Sequence, residues 1–368
     1  MATQGTSRGG KVTEFSGEHL NLEELEHKET HEKFRGYLNK RNIPPYPHPE
    51  FHVSHLKHDT DRRRLEGIYK DSGFRGSEDE GSKGNSLMWF HLAVSPEEIR
   101  SAERKLLEEK FPESPEVKAS NSFLWEFATS PAFSETSTYG SFRFTLPLQE
   151  VLDAYSQQFC SGHLPAMRVY RTSVFSQEVQ YIVLVHRPED NERFSIYPPL
   201  EDQREDAVCT YRDKHFIWNS QAMCGTHSCE MEVSEDQIKA VPVRGWSEFF
   251  VWDVVSIALH LEPEEVLLLT QKQLRKHLTF CNMFDAPFMY RRRHHFLDFD
   301  EAQLLVEGLW PSSANLEREV SLRSHFEVSE PVATEEDPEW AERRGPGSSL
   351  DSAQQPGPSR FNSREKLS

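Results

Sequence analysis

The stretch FHVSHLKHDTDRRRLEGIYKDSGFRG, residues 51–76, decides how this chain is read. Phe51 and Val53, with Leu56 beyond, alternate with polar neighbours in the way a half-buried strand requires. The run passes through His58, Asp59 and Thr60 into a short helical pattern holding Leu65, Ile68 and Tyr69, which stops at Gly73. A second stretch, FATSPAFSETSTYGSFRF at 127–144, joins an extended segment to a Ser/Thr-rich turn around Ser137, Thr138, Tyr139 and Gly140, then to another strand pattern.

Outward from these stretches, composition sets the limits. The chain has 368 residues, 36% hydrophobic and 28% charged, with a net charge of −18. That balance argues against broad nucleic-acid binding, which needs clustered Lys and Arg to neutralise phosphates. Arg62–Arg64 and Arg291–Arg293, the latter followed by His294 and His295, are local basic runs read as solvated surface or partner contacts. No stretch approaches the roughly 18 uninterrupted apolar residues of a membrane span, and the first residues lack the apolar core of a secretion signal. Five scattered cysteines are too few for a disulfide framework. A reducing compartment, cytoplasmic or nuclear, is expected.

Along the chain, residues 1–45 read as a flexible polar segment in which 21–25 can start a short helix, and the proline-rich run 44–49 as an extended lead-in. Residues 87–94, LMWFHLAV, predict a strand. Ser95, Pro96 and Glu98 then combine a cap, a first-turn proline and a capping-box acid, predicting a helix over about 96–110. Further strands are expected near 123–129, 142–146, 167–173, 179–186 and 229–233, with a hairpin turning at Arg212, Asp213 and Lys214. Leu148, Val151, Leu152, Tyr155 and Phe159 share one helical face. The apolar run 249–261, helical spacing through Leu278 and a helix over 299–309 predict a helical extension at 241–310. Residues 311–368, rich in Ser, Glu, Pro and Arg, are expected to be disordered.

The strand with His58 and Thr60, the helix with Gly67-Ile68 and Gly73, and the later Ser137-x-Tyr139 resemble the nicotinamide pocket of the ADP-ribosyltransferase superfamily, in its PARP-like branch. The resemblance covers residues 46–240 and implies an α+β fold with a split β-sheet, its cleft holding NAD between two small packed sheets. It implies His58 and Thr60 as ribose-side contacts, with His55 as a rival to His58, and Tyr139 as the nicotinamide-stacking ring. Asp59 stands where the family prefers Gly. Active relatives also place a glutamate to stabilise the positive charge that develops when the glycosidic bond breaks. The best local match, around Phe216-Ile217-Trp218, puts Lys214 or His215 at that place, leaving Glu178 as the alternative acid. A cation cannot perform that task. The implied protein is therefore a pseudoenzyme working through protein partners, with no cofactor. The alternatives are an active NAD-dependent mono-ADP-ribosyltransferase using Glu178, and an unrelated α+β scaffold.

No metal site is expected. Cys209, His215, Cys224, His227 and Cys229 cluster in sequence, but their spacing matches no zinc finger, and strand pairing accounts for them equally well. Cys160 with His163 falls at a helix-end turn rather than in a nucleophile–base arrangement.

Overall fold

The fold is organised by a strand of ten residues, Trp252–Leu261, every one of them buried. The computed structural model describes residues 2–5, 11–28, 45–78, 84–113, 122–175, 177–201, 203–204, 206–225, 228–235, 237–243, 251–283 and 296–311. Its large sheet is built from β1 (Ala2–Gly5), β2 (Lys11–Ser16), β3 (His55–Thr60), β4 (Ser77–Glu78), β5 (Ser86–Ala93), β6 (Phe142–Pro147), β7 (Ala166–Phe175), β8 (Glu178–His186), β9 (Trp252–Leu261) and β10 (Leu278–Phe280). Their order is β1-β2-β7-β8-β9-β5-β3-β6-β10, with β4 on β5. Within this sheet, among the described residues, only β8 and β9 pair in parallel, Glu178 beside Trp252 through Val185 beside Leu259. The helices are α1 (Leu22–His27), α2 (Arg62–Asp71), α3 (Pro96–Lys110), α4 (Leu148–Phe159), α5 (Gln271–His277) and α6 (Phe299–Leu309). The α+β class is thus observed. Instead of two small sheets of similar size, one ten-stranded sheet forms beside a three-stranded one of Glu50–Val53, His215–Asn219 and Cys209–Arg212.

Local signals formed as expected where they were strong. Ser95 and Glu98 cap α3 reciprocally, and the second oxygen of Glu98 accepts from the Ser54 N–H and hydroxyl, both at 2.8 Å. Asp213 and Lys214 turn the predicted hairpin with φ of 51° and 65°, the left-handed pair that a two-residue connection demands. Leu148, Val151, Leu152 and Tyr155 are buried on α4, and the Tyr155 hydroxyl donates to the His260 carbonyl at 2.7 Å.

Three expectations are corrected. The extension at 241–310 is not a helical annex, because β9 lies at the centre of the sheet. Its run VVSIALHL is largely apolar and rich in β-branched residues, and a strand flanked by β8 and β5 buries both faces at once, which one stripe of a helix cannot. After it, the chain turns at Glu264 (φ 71°), forms the short strand Val266–Leu268, and only then makes α5. The 1–45 segment is not uniformly flexible: β2 pairs with β7, Phe15, Leu20 and Leu25 enter the core, and Asn21 and Glu24 cap α1. Residues 124–127 form a 3-10 turn rather than a strand. The tail from 312 onward lies outside the described residues. Among those described, no helix is long and apolar enough to cross a membrane.

Asp253 fastens the central strand to the small sheet. Its fully buried carboxylate accepts from Trp218 Nε1 (3.1 Å), Ser220 Oγ (3.1 Å), Gln221 N (2.9 Å) and Ala222 N (2.8 Å). Burial nevertheless pushes its pKa up to about 6, against the four donors, which lower it. Asp253→Asn keeps the shape but turns an amide N–H₂ toward two donors. It is expected to lower stability by about 1–3 kcal/mol at pH 7, read from urea midpoints. Because the folded pKa lies above the unfolded one, the native state holds the extra proton between about pH 4 and 6. The Asp253 contribution is therefore full below that window and declines as pH rises through it. The advantage of wild type over the variant should shrink in that direction.

Candidate functional site

The strand–helix unit at 55–75 is built by its ends. Asp61 caps α2 through the Arg64 N–H at 3.0 Å, Leu65 and Ile68 point into the core, and Ser72 closes the helix in the left-handed conformation at φ 54°. Gly140 lies against the end of β3, where a Cβ would come within 2.4 Å of the Thr60 carbonyl oxygen. The two sequence motifs therefore meet at their backbones.

Their side chains do not meet. Alternation along β3 puts Leu56, His58 and Thr60 on one face, and His55, Lys57 and Asp59 on the other. The His58 ring packs edge-on against Phe74 (5.3 Å) and Phe90 (5.9 Å), opposite Phe144. Its Nδ1–H donates to the Trp89 carbonyl at 2.9 Å, and burial lowers its pKa, so it is a neutral core imidazole. Thr60 shares that face, its buried hydroxyl without a hydrogen-bond partner among the described residues. Tyr139 stacks on His91 at 6.1 Å and 28°. His91 follows Phe90 on β5 and sits opposite Lys57, so Tyr139 covers the face that His58 does not. His55 lies on the Tyr139 side of the sheet, half-buried, its Nδ1 bonded to Ser54 Oγ at 2.9 Å. Glu178 opens β8 beside Trp252, almost fully buried, and alternation places it on that same side with Gln180.

The face under Tyr139 holds a polar row that runs across five strands. Gln180 on β8 donates to Ser256 Oγ on β9 at 2.6 Å, and that hydroxyl meets His91 Nδ1 on β5 at 2.7 Å. Beyond His91, on β3 and β6, Arg143 grips Asp59 through Nε (2.6 Å) and Nη2 (2.8 Å), and also donates to the Ser134 and Thr136 carbonyls. Burial pushes the Asp59 carboxyl up, but the bonds and charge of Arg143, helped by Lys57, hold it below the ordinary range. Lys57 is buried and donates to the Pro131 and Ala132 carbonyls; burial first, then Arg143, lowers its pKa to about 7. At the far side a β-bulge between Val169 and Arg171 lets Tyr170 and Arg171 share this face. The Arg171 guanidinium stands 4.7 Å from the Tyr170 ring and 5.9 Å from Trp89.

Chemically this is a set of mutually satisfied groups bordered by half-buried aromatic rings. Ser256 and His91 are hydrogen-bonded as a nucleophile and base would be, but Ser256 is fully buried at the middle of a central strand. Lys57, His91, Arg143, Gln180 and Ser256 were not picked out by the sequence reading. The available signal was a charged or imidazole side chain inside an otherwise apolar strand run, as at Lys57 and His91. The cysteine–histidine group is not gathered: Cys209 and Cys224 are buried, His215 bonds the Asp213 carbonyl, and His227 lies outside the described residues. All five cysteines are free thiols. No family model matches this sequence, and no curated protein or solved structure is similar to it.

Arg143→Met would leave the Asp59 carboxylate buried without its partner. A loss of about 3–5 kcal/mol is expected, measured by urea unfolding at pH 7, and pairing it with Asp59→Leu should recover most of that. The depressed Asp59 pKa makes its contribution present above about pH 4, the unfolded value. It is lost as pH falls through the folded pKa. The double variant should therefore lose less stability on acidification than wild type.

Proposed function

We propose that this chain is an α+β scaffold, without a nicotinamide pocket, that acts by recognising a protein partner and does not cleave NAD. One observation carries the reading: the imidazole of His58 and the phenol of Tyr139 occupy opposite faces of the same sheet. A nicotinamide ring cannot be stacked by one while its ribose is held by the other. The histidine of that strand–helix unit packs edge-on against Phe74 and Phe90 instead.

Electrostatics supports the same reading. Breaking the glycosidic bond creates positive charge that needs a free carboxylate alongside. Near Tyr139 the fixed charge is Arg143, the Lys57 pKa being lowered to about 7, and the Asp59 carboxylate is already bound by Arg143. Glu178 stands two strands from His91, across β9. Trp89, His91 and Tyr139 are half-buried aromatic rings bordering this face, the kind of side chain that protein interfaces favour.

Purified full-length protein incubated with NAD should show no saturable binding by calorimetry and no nicotinamide release above buffer. Glu178→Gln should change neither result. Release by the wild type that Glu178→Gln abolishes would establish the active transferase in place of this reading.

A further inference from the structure

The end of the central strand carries a cluster that the polar row does not use. His260 lies on the Ser256 face of β9, its side chain only 1% exposed and its ring edge-on to Phe194 at 5.0 Å. Neither Nδ1 nor Nε2 has a hydrogen-bond partner among the described residues. A buried imidazole in that condition gives up its hydrogen bonds to water without replacement, so it calls for an explanation. Facing it are two carboxylates: Asp190 Oδ2, itself buried without a hydrogen bond, at 3.3 Å from Nδ1, and Glu262 Oε1 at 3.8 Å from Nε2. One donor atom from each of the three residues can be chosen so that all lie within 4.8 Å of one another.

We propose that Asp190, His260 and Glu262 bind a divalent cation of the zinc class. Small side-chain rotations bring such donors onto one ion, whose nitrogen and oxygen ligands sit at about 2.0–2.2 Å. An imidazole in the set favours zinc over magnesium or calcium, which take oxygen ligands. Arg193 reaches Glu262 at 3.0 Å, Arg187 pairs with Glu265, and Arg168 bonds Asn191 beside Asp190. His186 is not a ligand: its Nδ1 is engaged by the Arg187 carbonyl, and its Nε2 accepts from Arg168 at 2.9 Å.

The consequence is structural. Asp190 belongs to the turn Pro188–Asn191, which leads into Phe194 and Tyr197. Those two rings pack with Tyr170, Ile182, Leu184 and Ala258 on the sheet. An ion shared by Asp190 and His260 staples this excursion to the end of the central strand.

The test uses the full chain, stripped with chelator and titrated with zinc, with magnesium as the control. One zinc per chain and a raised melting temperature are expected, with no response to magnesium. Cobalt in place of zinc should give ligand-field absorption without a thiolate charge-transfer band, separating this site from the five free cysteines. Glu262→Gln, at a partly exposed position that keeps the fold intact, and Asp190→Asn should each weaken zinc binding by at least about tenfold. Absence of stoichiometric zinc binding, binding undiminished in both variants, or a thiolate band with cobalt would each overturn the proposal.

Discussion

The structure depends on burying one strand on both faces. Trp252–Leu261 receives β8 in parallel on one side and β5 antiparallel on the other, joining the N-terminal strands and β7–β8 to the β5-β3-β6 half. Burial of each Val, Ile or Leu on this strand contributes about 1.5–3 kcal/mol, and no other element touches both halves so fully. The polar residues on the strand are correspondingly consequential. Asp253 is saturated by four donors, Ser256 links Gln180 to His91, and His260 faces two carboxylates without a hydrogen bond.

The same alternation that buries the strand also decides what the site can do. A side chain one residue along a strand faces the other way, so Lys57 and His58, or Phe90 and His91, belong to different environments. His58 is committed to an aromatic core, while Lys57 and His91 join the polar row beneath Tyr139. Two motifs can therefore touch along their backbones, at Gly140 and Thr60, and still fail to share a pocket.

Much of the local structure could be read from sequence because its causes are local. The Ser95–Glu98 cap, the Asp213-Lys214 turn and the face of α4 each lie within a few residues of one another. The β9 run was misread because a short apolar stretch has no period to separate strand from helix, and only the neighbouring strands arbitrate. The N-terminal strand was missed because Val12, Phe15 and Leu20 are sparse among polar residues and gain meaning only against β7. Of the expected site residues, the structure puts His55, Tyr139 and Glu178 on one side of the sheet, and His58 and Thr60 on the other. The Arg143–Asp59 pair joins residues 84 positions apart, and Asp190 meets His260 and Glu262 from 70 or more positions away, which spacing alone cannot reveal.

The central strand's role can be tested directly by native-state hydrogen exchange. If the ten-stranded sheet is one cooperative unit, the amides of 252–261 should exchange only through global unfolding, with the same free energy as those of 179–186 and 87–92. Rapid exchange of 252–261 while the other two strands stay protected would mark it as a separable appendage, and the architecture described here would not stand.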